Sequence, residues 1–197
     1  MAARIVVLAS GGGTNLQALL DADDLGGDVV LVATDRDGVG ALSRARAAGI
    51  PTAVVKPSAH ADRPAWDAAL ESAVGVADPT VVVLAGFMRV LPGAFVSRWT
   101  VVNVHPALLP AFPGAHAVRD ALAWGAKVTG ATVHLVDEEV DHGPILAQRA
   151  VDVRDDDDEA TLHARIQAVE HELLPACVRL LCADRVRLDG RIVRISP

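Results

Sequence analysis

Apolar and polar positions fall in blocks along this chain, and the blocks predict strands that alternate with helices. Four short apolar runs lack polar alternation, as expected of strands buried on both faces of a sheet. They span residues 5–9, 29–33, 52–55 and 80–85. Helical patterns cover residues 39–48, which end at Gly49, and residues 62–74, for which Asp62 is a suitable N-cap. This order predicts a Rossmann-like, doubly wound α/β fold whose mostly parallel sheet has helices on both faces.

Longer elements follow in the second half of the chain. Residues 127–136 and 144–153 predict an antiparallel strand pair around the acidic loop 137–143. Two helices are predicted at residues 116–124 and 159–182, and Asp189-Gly190 predicts a hairpin within residues 186–195. The apolar stripe of the last helix comprises Leu162, Ile166, Val169, Leu173, Cys177 and Leu181. We expect residues 1–197 to form a single domain.

Composition restricts the kinds of partner. Apolar residues make up 51% of the chain, but there is no Tyr and aromatics reach only 3%, so the core is expected to be aliphatic. The net charge is −7, the only lysines are Lys56 and Lys127, and basic residues form no cluster. This charge pattern argues against a nucleic-acid groove or an anionic membrane surface as partner.

Cysteine usage and apolar run lengths indicate a cytoplasmic protein. Cys177 and Cys182 have neither metal-ligand nor disulfide-scaffold spacing. The apolar stretch at residues 5–9 is too short for a signal peptide, and no run approaches the length of a membrane span. Whether the protein is a monomer or a homodimer stays open at this stage.

A glycine-rich segment, Ser10 to Asn15, lies between the first strand and a helix predicted over residues 16–22. Adjacent glycines let backbone N–H groups approach an anion, so the segment predicts a phosphate site; a tight turn without a ligand is the alternative. No Lys follows the glycines, as a Walker loop requires, and Leu16 stands where a dinucleotide fingerprint needs its third glycine. Asp35 would be the ribose ligand of such a fingerprint, but we expect no NAD.

Asn103 and His105 form the most informative pair of residues. They end a β-branched run, and residues two apart on a strand point to the same side, so an amide and an imidazole should meet there. An amide can stabilise an oxyanion and an imidazole can move a proton, although a structural histidine is the plain alternative. In the acidic loop, Asp141 precedes a Gly143-Pro144 turn and is best placed to point inward. Crowding by neighbouring acids is expected to raise its pKa.

Several collinear motifs resemble the folate-dependent formyltransferase family, in particular the members that act on glycinamide ribonucleotide. The resemblance extends from Ile5 to about Pro175. It rests on the stretches at residues 10–17, 83–89, 103–110, 113–116 and 141–145. Ala107 departs from the Ser common at that position, and His142 occupies a position that is often small.

The resemblance implies formyl transfer from 10-formyltetrahydrofolate, as co-substrate, to the amine of glycinamide ribonucleotide in purine biosynthesis, without metal or NAD. By similarity, residues 1–100 bind the nucleotide phosphate, and residues 101–197 carry the catalytic and folate-binding groups. The implied ribonucleotide ligands are Gly13, Thr14, Asn15 and Glu170. The implied folate contacts are Arg63, Met88, Arg89, Val90, Leu91, Asn103, Asp137, Glu138, Glu139, Val140 and Asp141.

Asn103, His105 and Asp141 are the implied catalytic residues. The amine would attack the formyl carbon directly, and Asn103 with protonated His105 would stabilise the tetrahedral oxyanion. Asp141 would support His105 and move a proton towards the departing folate nitrogen. No Cys or Ser nucleophile lies in these motifs.

Three alternative functions stay open. A methionyl-tRNA formyltransferase would have a further C-terminal domain and less acidic character. A formyltetrahydrofolate hydrolase would have an N-terminal regulatory domain, whereas here the first strand begins near Ile5. A nucleotide-sensing module of Rossmann type would bind without turnover and would leave Asn103, His105 and Asp141 without a role.

Overall fold

The structure is a computed structural model that describes residues 2–196. In this range the chain forms strands β1 to β9 and α-helices α1 to α6, with one short 3-10 turn at Pro57–Ala59. The strands are β1 Ala3–Ala9, β2 Gly27–Thr34, β3 Thr52–Val54, β4 Val81–Leu84, β5 Thr100–His105, β6 Val128–Leu135, β7 Ile145–Asp152, β8 Val186–Asp189 and β9 Ile192–Ile195. The helices are α1 Thr14–Leu20, α2 Gly40–Ala47, α3 Arg63–Gly75, α4 Gly93–Arg98, α5 Ala117–Trp124 and α6 Glu159–Cys182.

Seven strands form one sheet in the order β3-β2-β1-β4-β5-β6-β7. The first five are parallel, and β6 and β7 pair antiparallel at the other side. This arrangement confirms the predicted doubly wound, mostly parallel sheet with an antiparallel pair late in the chain. The predicted hairpin is also present as β8 and β9, with Gly190 in the left-handed conformation that its turn needs.

Helices cover both faces of the sheet, as predicted. On one face, Ile5 and Val7 of β1 pack in the core that α1, α2 and α6 cover. On the other face, Val6 and Leu8 of β1 pack against α3 and α4, where Trp66 is the largest buried side chain. Alternate residues of one apolar strand therefore enter two separate cores, which explains why the run shows no polar positions.

Capping residues and glycines in the sequence predict the ends of several helices correctly. The Asp62 carboxylate accepts a hydrogen bond from the Ala65 N–H at 2.9 Å and caps α3, and Gly125 ends α5 in the left-handed conformation. Helix α1 begins at Thr14, earlier than its apolar pattern indicated. The prediction omitted α4, which has only six residues and follows a proline, so it offers too short a pattern to detect.

The functional loops converge because of the strand order. From β1 the chain continues to β2 and β3 on one side, and from β4 it continues to β5 on the other side. Because the connections leave these two neighbouring strands in opposite directions, a crevice opens at their carboxyl ends. The glycine-rich segment follows β1, the segment 85–92 follows β4, and Asn103 and His105 end β5. Strand register places Leu8 beside Leu84 and Leu84 beside Asn103, so these three chain segments leave the sheet at one edge.

Candidate active site

Asn103 and His105 both face the carboxylate of Asp141. The Asn103 Nδ2 atom lies 3.4 Å from Asp141 Oδ1, and His105 Nδ1 lies 3.3 Å from Asp141 Oδ2. The two side chains point to the same side of β5, as their spacing on a strand predicts. An amide, an imidazole and a carboxylate thus meet above the end of the central strands.

Asp141 is held in an unusual backbone conformation. Its φ is +52°, in the left-handed region, and the Gly114 N–H donates to its Oδ2 at 2.7 Å. The following turn needs Gly143, because a Cβ there would lie 1.8 Å from the Leu135 carbonyl oxygen. Non-glycine residues adopt positive φ infrequently, so the loop around Asp141 is shaped by its surroundings to present this carboxylate.

The expectation that crowding raises the pKa of Asp141 is wrong. Burial acts in that direction, but hydrogen bonds involving His134 and Gly114 and the nearby His105 outweigh it and lower the pKa. The groups that act on its carboxylate are a backbone donor and two imidazoles, and none of them is another acid of the loop. Asp141 is therefore ionised at neutral pH.

His105 is buried between two acceptors. Its Nε2 lies 2.8 Å from the Phe112 carbonyl oxygen, and its Nδ1 faces Asp141. Burial lowers the pKa of His105, and it outweighs the opposing effects of the Asp141 charge and the Phe112 carbonyl. The resting imidazole is accordingly neutral at pH 7, in contrast to the protonated His105 of the expected mechanism, but both of its nitrogens face acceptors that favour protonation.

His134 is a further member of this group that the sequence analysis missed. It is buried on β6 directly opposite Asn103, with its Nε2 3.2 Å from Asn103 Nδ2 and 3.7 Å from Asp141 Oδ1. Its Nδ1 lies 2.8 Å from the Leu135 carbonyl oxygen, which orients the ring. A histidine within a largely buried strand was the available signal, but only the strand pairing brings it to Asn103.

The segment after His105 is braced from β6 and β7. Thr132 Oγ1 donates to the Ala107 carbonyl at 2.6 Å and accepts from the Leu109 N–H at 3.0 Å. Gln148 Nε2 donates to the Leu109 carbonyl at 2.8 Å. Thr132 and Gln148 contact the backbone of this segment. These contacts therefore do not depend on whether position 107 carries Ala or the Ser common in the family.

A cavity of about 270 Å³ opens beside Asn103, His105 and Asp141. Nine of the eleven implied folate residues line it. These are Met88, Arg89, Val90, Leu91, Asn103, Asp137, Glu139, Val140 and Asp141. The other two lie outside its wall: Arg63 pairs with Asp67 and the Val90 carbonyl, and the Glu138 carboxylate lies against Gly93.

Two of the implied ribonucleotide residues, Asn15 and Glu170, are in direct contact. Asn15 Nδ2 donates to Glu170 Oε2 at 3.0 Å, although the two residues are 155 positions apart. Glu170 is 4% exposed, and burial raises its pKa to about 6, with the Asn15 hydrogen bond opposing. Gly13 precedes α1 with a φ of +74°, and Thr14 borders a second cavity of about 490 Å³.

Asp35 is engaged by protein groups. Arg36 and Arg89 donate hydrogen bonds to its carboxylate, and the Asp35 side chain has no exposed surface. It is therefore not free to bind a ribose in the manner of a dinucleotide fold.

This combination of sheet edge, glycine-rich segment and Asn–His–Asp group agrees with the family comparison. The chain belongs to the formyl transferase family, whose model matches residues 3–178. The resemblance noted from the sequence is thereby confirmed.

Particular relatives carry a more specific name. Phosphoribosylglycinamide formyltransferase from Mycobacterium tuberculosis (strain ATCC 25618 / H37Rv) is 52% identical over 193 residues, which cover 96% of this chain and 89% of the relative. The human trifunctional purine biosynthetic protein adenosine-3 is 41% identical over 197 residues, covering 96% of this chain and 20% of that protein. The crystal structure of glycinamide ribonucleotide transformylase 1 from Symbiobacterium toebii aligns with a TM-score of 0.95 at 44% identity, covering 99% and 94% of the two chains.

Residues 2–196 contain no candidate membrane span and no candidate metal-binding cluster. No helix in this range has both the length and the apolar character that crossing a bilayer requires. No three His, Cys, Asp or Glu side chains in the described part of the chain are grouped to hold a metal ion.

Proposed function

We propose that this chain transfers a formyl group from 10-formyltetrahydrofolate to the amine of N1-(5-phospho-D-ribosyl)glycinamide, a step of purine biosynthesis. The observation that carries the proposal is the contact of Asn103 and His105 with Asp141 in the wall of a cavity. The glycine-rich segment, which Asn15 joins to Glu170, leaves the sheet at the same edge. Two substrates bound there would meet at the catalytic group.

The cavity has the chemistry to hold a reduced pterin. Apolar side chains such as Leu91, Val104 and Val136 line it, and they suit a flat ring system. The carboxylates of Asp137 and Asp141 and backbone groups of the segment 86–91 supply acceptors and donors for its polar edge. Both halves of the chain contribute to this wall, while the residues proposed for the phosphate lie in residues 1–100.

The residues account for direct formyl transfer. The amine attacks the formyl carbon, and the Asn103 amide stabilises the negative charge that develops on the formyl oxygen. Resting His105 is neutral and faces ionised Asp141, so it can take up the proton that the amine loses while the carboxylate stabilises the imidazolium. The proton then passes to the folate nitrogen as the carbon–nitrogen bond to folate breaks. His134 orients the Asn103 amide in this scheme.

On the ribonucleotide side, we assign the phosphate to the backbone N–H groups and hydroxyl at Gly13 and Thr14. Glu170 and Asn15 then hold the ribose hydroxyls. The Asn15 Oδ1 atom is buried and has no hydrogen-bond partner within residues 2–196, and such an atom is costly unless a ligand or water satisfies it.

The test is turnover of 10-formyltetrahydrofolate followed by absorbance, with and without the ribonucleotide. Ribonucleotide-dependent release of tetrahydrofolate, lost in Asn103→Ala, is the expected result. Release without the acceptor would identify a hydrolase instead. Folate binding without any release would overturn the proposed reaction and favour a binding module or another acceptor.

A further inference from the structure

Asp35 carries a buried charge that the proposed reaction leaves without a role. Its carboxylate accepts from Arg36 Nε and Nη2 at 3.1 Å each and from Arg89 Nε at 2.8 Å, and its side chain is 0% exposed. Burial favours the neutral acid, but hydrogen bonds from Arg36, Arg89 and Ser10 outweigh it and bring the pKa to about 2. A buried charge is costly unless it is paired, so the surroundings are built to hold this ion.

Arg89 links the Asp35 carboxylate to the wall of the cavity proposed for folate. It belongs to the loop 86–91, which follows β4 and supplies one side of that cavity. Ser10 holds the same loop from beside Asp35: its N–H donates to the Gly86 carbonyl at 3.0 Å, and its Oγ accepts from the Met88 N–H at 3.0 Å. Ser10 also begins the glycine-rich segment.

Asp35 and Ser10 therefore join two ligand-binding loops that come from different strands. The loop 86–91 borders the folate side, and the glycine-rich segment borders the ribonucleotide side. Direct transfer requires the amine to approach the formyl carbon within about 3–3.5 Å, and a displacement of about 1 Å can cost a hundredfold in rate. The relative position of these loops is thus a quantity on which the reaction depends.

We infer that Asp35 is a positioning residue that holds the folate-side loop 86–91 through Arg89 and so sets the place of the formyl donor relative to the acceptor. The inference rests on the proposed function. It gives a role to the acidic residue after β2, where a dinucleotide-binding protein would contact ribose. Exposed Asp37, two residues further along and paired with Lys56, offers a matched control because it makes no contact with this loop in the hydrogen bonds described.

The experiment compares Asp35→Asn, which keeps the shape and removes the charge, with Asp37→Asn in steady-state kinetics. We expect the KM for 10-formyltetrahydrofolate to rise about tenfold in Asp35→Asn, the scale of one lost charge-assisted hydrogen bond, while the KM for the ribonucleotide changes less than twofold. Asp37→Asn should match the wild type. In an Arg89→Gln background, Asp35→Asn should raise the folate KM no further, because its partner is already gone.

The inference is overturned if Asp35→Asn leaves the folate KM unchanged or raises both KM values equally. It is also overturned if Asp35→Asn raises the folate KM as much in the Arg89→Gln background as it does in the wild type. Thermal unfolding shows whether Asp35→Asn is folded. If it is not, Ser10→Ala is measured instead, and the inference requires its folate KM to rise while its ribonucleotide KM changes less than twofold. Wild-type protein without ribonucleotide-dependent turnover would refute the proposed function instead. Calorimetric titration with tetrahydrofolate would then test the loop alone, and equal affinity of wild type and Asp35→Asn would overturn the inference.

Discussion

Replacing Glu170 by glutamine should stabilise the protein above pH 6 and weaken its binding of the ribonucleotide. Glu170 lies on the buried face of α6 and is 4% exposed, and within residues 2–196 the one side-chain hydrogen bond to its carboxylate comes from Asn15. Glutamine keeps this hydrogen bond through its amide oxygen and removes the buried charge. A residue retained for binding at the expense of stability is common in functional sites.

The magnitude follows from the pKa. Burial raises the pKa of Glu170 from 4.5 to about 6, so the folded state holds the proton more tightly than the unfolded state does. The protonated side chain contributes its full stability below about pH 4.5, and this contribution is lost as the pH rises through about 6. With about 1.4 kcal/mol for each pKa unit, the loss is about 2 kcal/mol at pH 7 and above.

The measurement is the free energy of unfolding in urea, followed by circular dichroism from pH 4.5 to 8 for wild type and Glu170→Gln. The difference between them should widen in favour of the variant by roughly 1.5 kcal/mol over this range, since other groups titrate in both proteins and cancel. Glu172→Gln is the control, because it removes a carboxylate on the same helix whose side chain is 68% exposed and so lacks the burial on which the trend depends. A difference that stays constant or narrows with rising pH would refute the reasoning.

Three further predictions concern catalysis, the acidic loop and the glycine-rich segment. His105→Ala should keep its circular dichroism spectrum and lose roughly 10²- to 10⁴-fold in kcat; near-normal turnover would remove His105 from the mechanism. Arg191→Ala should raise the folate KM severalfold, because Arg191 donates a hydrogen bond to the His142 carbonyl and so holds the acidic loop that lines the cavity. Arg194→Ala is the control and should leave the folate KM unchanged, because Arg194 pairs with Asp189 of the hairpin. Gly13→Ala should lower the midpoint of thermal unfolding by several degrees, because its Cβ would lie 2.7 Å from the Ala41 Cα at a φ of +74°; an unchanged midpoint would contradict this.

Local patterns were sufficient for most elements of the fold. The uninterrupted apolar runs, the Asp62 cap and the Gly125 end are properties of a few neighbouring residues, and each gave an element close to its observed bounds. The six-residue helix α4 escaped prediction because less than two turns give no readable periodicity. The same reliance on neighbours produced the wrong direction for the pKa of Asp141, since its sequence neighbours are acids but its spatial neighbours are donors.

By itself, the sequence determined the order of strands and helices, the glycine-rich segment and the placement of Asn103 and His105 on one side of a strand, because these depend on backbone periodicity. Only the tertiary structure decided which side chains meet. It brought His134 to Asn103 across 31 positions, Arg89 to Asp35 across 54, and Asn15 to Glu170 across 155. Burial and hydrogen bonding set the pKa values of Asp35, Asp141 and Glu170, and both depend on residues that come together only when the sheet and its helices are assembled.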